Sequence, residues 1–237
     1  MYSVLLIALA LVRPTEVNFQ TLENASVRII ATDKQDCPNC KKKHGSYGSG
    51  TIIKSFKEGD VFVNYLVTAR HVVDKDEEIL VEIFEDDKSL GGCQGELLLK
   101  SGNKKGDSDV ALIKFTSSRL LTAVSVADDD YELKVGDLVI TVGCPHGTIP
   151  PKALNTNIKV KAVSVGGESA YLIECEKIPE QGRSGGGLFN KSGQLVGICN
   201  AQHDCPSCGK IGIYSSWKEI IKLIKGTKYE FLLNKNP

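Results

Sequence analysis

The sequence predicts an all-β protein, one or two antiparallel barrels closed by a C-terminal α-helix. Two patterns carry that expectation. From Val17 to Tyr214 the chain runs as short stretches of Val, Ile and Leu separated by Gly, Asp, Asn and Pro every ~8–15 residues, with no sustained helical period. After Ser215-Ser216, the residues Trp217, Ile220, Ile221 and Ile224 recur at i, i+3, i+4 and i+7, and Lys218, Lys222 and Lys225 fall outside the stripe, which describes one amphipathic helix packed on a body. Composition agrees. A chain of 237 residues that is 41% hydrophobic can bury a core and is neither disordered nor collagenous. Its 29 basic and 29 acidic side chains cancel, so the surplus of Lys and Arg that drives nucleic-acid or anionic-membrane binding is missing and no nucleic-acid partner is expected.

Twelve strands are expected, at 26–31, 50–55, 62–68, 79–84, 95–100, 110–115, 138–143, 158–165, 170–174, 187–190, 195–199 and 212–215. The polar stretch 117–132, with its run Asp128-Asp129-Asp130, interrupts them and divides a first unit, 17–122, from a second, 123–214, followed by the helix and tail at 215–237. At the start, residues 1–12 are apolar and end in the small residues Ala8 and Ala10, the form of a signal-peptide core within a leader at 1–16. That reading makes the protein exported, periplasmic or extracellular. Against it, no Lys or Arg precedes the run and Arg13-Pro14 follow, which leaves a buried N-terminal strand as the alternative. The run is too short to span a bilayer, and no stable membrane span is expected.

Three segments bear chemistry. His71 ends the apolar strand Tyr65-Leu-Val-Thr-Ala-Arg-His71; Asp109 heads Asp109-Val-Ala-Leu-Ile-Lys-Phe115; Ser184 lies among four glycines in Gln181-Gly-Arg-Ser184-Gly-Gly-Gly-Leu-Phe189. Each alone is ordinary: a core histidine, a turn aspartate, a flexible turn. Together they suit acyl transfer, because a serine hydroxyl needs a histidine to take its proton and a carboxylate to hold that histidine's tautomer. Glycines around the serine let the backbone turn tightly enough to aim amides at an oxyanion, and the candidate donors are Gly182 and Ser184.

With these residues in the order His, Asp, Ser, the sequence resembles the trypsin-like (chymotrypsin-fold) serine peptidases, and within them the bacterial HtrA-type branch. Gly48-Ser-Gly-Thr-Ile-Ile53 is similar to the family's first-barrel glycine motif, and Thr68-Ala-Arg-His71-Val-Val to its histidine motif. Gly182-Arg-Ser184-Gly-Gly is similar to its nucleophile motif, and Gly197-Ile-Cys-Asn200 to its substrate-edge strand. The resemblance implies two packed antiparallel six-stranded β-barrels, the trypsin-like fold, with the triad between them and polypeptide as substrate. It further implies that Ile178, six before the serine, floors the pocket for the substrate's P1 side chain, which favours small or medium apolar residues. Cys199, Asn200 and Ala201 would then bind substrate backbone by strand addition. Two departures stand out. Arg183 occupies the place of the aspartate that pairs with a new N-terminus in trypsin, so it either braces the loop through other carbonyls and carboxylates or leaves a silent, peptide-binding version of the fold. Too few residues follow the helix for the PDZ domain usual in HtrA-type proteins.

Eight cysteines remain to be explained. Cys37-Pro-Asn-Cys40 and Cys205-Pro-Ser-Cys208-Gly209 are similar to paired zinc-ribbon knuckles, and four thiolates suit a closed, structural Zn²⁺ site with no place for a catalytic water. His44 and His203 are reserve ligands. Disulfides within or between the pairs are the alternative in an oxidising compartment. Cys93, Cys144, Cys175 and Cys199 lie in or beside apolar strands and read as small buried hydrophobes. No cofactor is expected in the chemistry itself, and the sequence leaves the oligomeric state open.

Overall fold

The computed structural model describes residues 17–34, 36, 39–74, 77–102, 108–164, 170–205 and 209–234; the apolar start, 1–16, lies outside them. A short helix α1 (Phe19–Asn24) leads into β1 (Ser26–Asp33), β2 (Gly45–Glu58), β3 (Val61–Thr68), β4 (Glu77–Glu85), β5 (Lys88–Lys100) and β6 (Ala111–Ser117). After a connection at 118–137 come β7 (Leu138–Gly143), β8 (Lys152–Ser164), β9 (Tyr171–Cys175), β10 (Gly187–Phe189), β11 (Leu195–Cys205), β12 (Gly209–Ser216) and the helix α2 (Trp217–Ile224). The strands close into two antiparallel barrels, in the orders β1-β2-β3-β6-β5-β4 and β10-β11-β12-β9-β8-β7.

Side-chain patterning explains the closure. In β1, Val27, Ile29 and Ala31 are fully buried, the period of a strand with one face in a core. In β3 both faces are buried from Val63 onward, because the outer face is covered as well. Tyr65 meets Phe231 of the C-terminal tail edge-on at 5.7 Å and Phe56 of β2 in a stack at 6.2 Å. The β4–β5 hairpin turns on Asp86-Asp87, both at positive φ (48° and 65°), the geometry of a two-residue turn that Asp tolerates better than most residues.

Helix α2 buries Trp217, Ile220 and Ile224, and its Ile220 and Ile224 join the same apolar cluster as Leu66 of the first barrel and Phe189 of the second. Trp217 donates through Nε1 to the Asp128 carbonyl at 2.8 Å and meets Tyr131 edge-on, which ties the polar connection to the body. The sequence pattern missed α1. Only its Leu22 is buried, and one apolar residue makes no period; what fixes the turn is Asn18, whose Oδ1 accepts from the Gln20 amide at 3.0 Å. The β11–β12 hairpin also runs past its expected end at 199, paired as far as Cys205 with Gly209, because Ala201, Gln202, His203 and Asp204 are exposed and carry no apolar alternation. Among the described residues no helix is long and apolar enough to cross a membrane.

Candidate active site

The first barrel brings His71 and Asp109 together. After β3, Ala69 is extended and Arg70–Val72 form one 3-10 turn, which sets His71 at the barrel's end with 44% of its side chain exposed. Asp109, immediately before β6, is buried. It takes the His71 backbone amide on Oδ1 at 2.9 Å and the ring Nδ1 on Oδ2 at 2.5 Å. An ionised carboxylate only accepts, so Nδ1 carries the proton and a neutral ring leaves Nε2 as the acceptor. Ser101 braces the carboxylate's turn: its hydroxyl donates to the Ser108 carbonyl and accepts from the Val110 amide. Arg70 adds positive charge 3.7 Å from Asp109 Oδ1.

The second barrel delivers the serine. Ser184 is half-buried in the turn before β10. Its carbonyl accepts from the Ser49 amide of β2 at 2.7 Å, and the Gly185 amide donates to the Cys199 carbonyl at 2.8 Å. A Cβ on Gly48 would lie 2.6 Å from Val72, the neighbour of His71, and 2.8 Å from the Ser184 carbonyl. Gly48 therefore sits between the histidine turn and the serine turn, and its lack of a side chain lets them approach. Gly185 lies as close to the end of β3: a Cβ there would collide with the Thr68 hydroxyl and meet Ala69 at 2.9 Å, three and two residues ahead of His71. Asp109 thus holds His71, and the turn that carries Ser184 packs against the turn that carries His71.

The amides of Gly182 and Ser184 have no hydrogen-bond partner among the described residues, whereas those of Arg183, Gly185 and Gly186 are all engaged. Gly182, at φ +91°, adopts a conformation that favours glycine. Its carbonyl accepts from Ser49 Oγ at 2.9 Å, and the same oxygen accepts from the Cys144 amide at 2.9 Å. Arg183 is buried, and braces the loop rather than disrupting it: Nε donates to Glu180 at 3.1 Å and Nη1 to the Lys152 carbonyl at 2.8 Å. The roles of Ser49 and of the turn at 144–147 are not disclosed by the sequence, because both act through backbone contacts between parts well separated along the chain.

Of the residues expected to bind substrate, Ile178 is half-buried beside the buried Pro179, which packs against Gly212 of β12. In β11, Cys199 is buried, Asn200 half-buried and Ala201 exposed, and a bulge between Cys199 and Ala201 leaves Asn200 outside the ladder with β12, its Nδ2 3.3 Å from Ser215 Oγ. Burial pushes the thiols of Cys144 and Cys199 up to about 11 and about 12, and that of Cys175 higher still. These are neutral core groups, not nucleophiles. Cys93 is half-buried. Of the expected zinc ligands, Cys37 and Cys208 lie outside the described residues. Cys40 is an exposed free thiol with Sγ 2.9 Å from His44 Nε2, and among the described residues no group of three or more His, Cys, Asp or Glu side chains is arranged to hold a metal ion.

A family model described as the trypsin-like peptidase domain matches residues 48–198, from the glycine motif of β2 to the strand behind Ser184. The chain belongs to the trypsin-like peptidase family. Within that family it is 33% identical to the periplasmic serine endoprotease DegP of Salmonella typhimurium over 180 residues, 73% of this chain and 33% of the relative. Identity to DegP of Escherichia coli is 32% over 191 residues, 76% and 37% of the two chains. Identity to the periplasmic pH-dependent serine endoprotease DegQ of Escherichia coli is 30% over 176 residues, 70% and 33%. This trypsin-like chain spans about a third of the length of these curated relatives. Among solved structures, an HtrA-type protease, AlgW with a tripeptide, has a TM-score of 0.64 at 20% identity, covering 90% of this chain and 64% of that one, a likeness of fold.

Proposed function

We propose that the chain is a serine endopeptidase in which Ser184 is the nucleophile, His71 the general base and acid, Asp109 the group that orients His71, and the amides of Gly182 and Ser184 the oxyanion hole. The observation that carries this reading is the double hold of Asp109 on His71, at ring and backbone, beside a serine turn with two amides that have no partner among the described residues. Ser184 Oγ attacks the scissile carbonyl carbon as its proton passes to His71 Nε2. The oxyanion is stabilised by the two amides, and His71 returns the proton to the departing amine as the C–N bond breaks. Water, deprotonated by His71, then hydrolyses the acyl-serine ester. No cofactor enters these steps. Ile178 floors an apolar P1 pocket, and the edge of β11 at Cys199, Asn200 and Ala201 binds substrate backbone.

The rival reading is a silent peptide-binding protein, in which Arg183 prevents the hole from forming. The satisfied contacts of Arg183 with Glu180 and Lys152 favour the enzyme. A fluorophosphonate probe separates the two: labelling at Ser184, abolished in Ser184→Ala, is the expected result, and an unlabelled but folded protein would establish the binder. The named location of the DegP relatives supports export to the periplasm, which fractionation of expressing cells tests. A structural zinc held by Cys37, Cys40, Cys205 and Cys208 rests on motif form; elemental analysis at about one zinc per chain is its expected outcome, and metal-free protein of full stability removes it.

A further inference from the structure

Arg28 of β1 lies outside every motif of the site, yet its side chain reaches from the first barrel to the second. On its own barrel it pairs through Nε with Glu82, the residue directly opposite on β4. Across the boundary, Nη1 donates to the carbonyl of Gly147 at 2.6 Å. Gly147 ends the short 3-10 turn Pro145–Gly147, in which both His146 (φ 54°) and Gly147 (φ 71°) are left-handed. A non-glycine residue in that region is disfavoured, so contacts from outside add to the turn's own bonds, from the Gly147 amide to the Cys144 carbonyl and from the Thr148 amide to the Pro145 carbonyl, in holding its shape.

What the turn holds is the oxyanion loop. The His146 amide donates to the Gln181 carbonyl at 2.5 Å, and the Gly147 amide stands so close to Gly182 that a Cβ there would lie 2.8 Å from it. A peptide unit is planar, and its C=O and N–H point in opposite directions. With the Gln181 oxygen fixed on His146, the Gly182 N–H is turned away from the 144–147 turn, and it has no partner among the described residues. If this turn relaxes, the Gln181–Gly182 unit is free to rotate and its donor leaves the place where the oxyanion forms.

We propose that Arg28 is a positioning residue for the oxyanion hole, acting through the Gly147 carbonyl and the His146 amide to hold the Gln181–Gly182 peptide with its N–H presented to the oxyanion. This rests on the peptidase reading above. Glu82 supports it by fixing the guanidinium, and the device joins the two barrels, so the hole in one is set from the other. The guanidinium bonds to Glu82 and Gly147, not to His71 or Ser184.

The test uses the full chain, a chromogenic peptide with an apolar P1 residue, and the boronic-acid analogue of that peptide, whose tetrahedral serine adduct places an oxygen in the hole. Arg28→Met is expected to lower kcat about 30-fold with KM within about two-fold, less than the loss from deleting a hole donor outright. Boronate affinity falls by a similar factor, thermal unfolding stays cooperative, and Arg28→Lys recovers part of both losses. Glu82→Gln, which keeps the arginine's bond to Gly147, loses about three-fold. Should Arg28→Met fail to fold, Arg28→Lys carries the same comparison. An active wild type with kcat and boronate affinity unaltered in the arginine variants overturns the role of Arg28 alone. A parallel loss of KM without loss of boronate affinity overturns it too. A wild type that neither cleaves the peptide nor labels at Ser184 overturns the peptidase reading itself.

Discussion

The two barrels contribute to the cleft in different ways. The first supplies His71 and Asp109 from residues at the ends of β3 and β6, which pair with each other from Thr68–Ala111 to Phe62–Ser117, so the ladder itself brings the two side chains together. The second supplies Ser184 and two amides on an irregular loop, and that loop takes its shape from Ser49, from Arg183 and from the turn at 144–147. One half of the site is fixed by local strand geometry. The other is fixed by contacts between parts distant in the chain, so substitutions far from the chemistry should disturb it more.

Substitutions sharpen that contrast in order of size. Ser184→Ala removes the proposed nucleophile and should lower kcat, measured on a chromogenic peptide, by a factor of order 10⁶ while the thermal transition stays where it was. Asp109→Asn can no longer hold the Nδ1–H tautomer. About 10⁴ in kcat should be lost at neutral pH, and the second barrel's hole should still bind a peptidyl boronate more tightly than substrate. If that variant were as active as the wild type, the first barrel would not be the acid–base half. Arg183→Met leaves the Lys152 carbonyl and Glu180 without their partner and should cost both stability, about 1–3 kcal/mol by thermal or urea unfolding, and activity, about 10- to 100-fold in kcat through the hole. An unchanged kcat with the same loss of stability would show that the arginine braces the barrel and not the hole.

The same contrast explains what the sequence disclosed. Twelve strands were legible because apolar runs and turn residues alternate along the whole body, and His71, Asp109 and Ser184 were legible because each sits beside a strand whose pattern fixes its place. The helix at Phe19–Asn24 was not, since a cap and one buried leucine carry it. Nor were Arg28, Ser49 or His146. Their work is done by a guanidinium on a carbonyl, a hydroxyl bridging two backbone groups, and a main-chain amide, and no residue type announces a partner that the chain brings near only on folding. The reading of Arg183 was left open for the same reason: its effect depends on whether the Lys152 carbonyl lies within reach, which is a fact of topology.

Alkaline pH separates the halves by the smallest effect. The three most deeply buried thiols, Cys144, Cys175 and Cys199, all belong to the second unit of the fold, while Cys93 of the first is half-buried. Burial raises all four, Cys144 to about 11 and Cys199 to about 12. In the unfolded chain these thiols ionise near their ordinary value of about 8.5 to 9, so above it the native state binds more protons than the unfolded state. Stability is therefore fully present below pH 9 and declines as pH rises towards the native values, by about 1.4 kcal/mol per pH unit for each such thiol. Tyr214, also raised by burial, adds to the decline only from about pH 10, where an unfolded tyrosine begins to ionise. Between pH 9 and 10 the loss thus falls chiefly on the strands behind Ser184, which hold three of the four raised thiols or adjoin them and whose loop hangs on the Cys199 carbonyl and amide. Hydrogen exchange in that window should show protection falling in β9, β11 and β12 before β3 and β6, and Cys175→Ala should flatten the slope of stability against pH even where it lowers the stability itself. Simultaneous loss in both barrels would mean that the inter-barrel contacts make them a single cooperative unit.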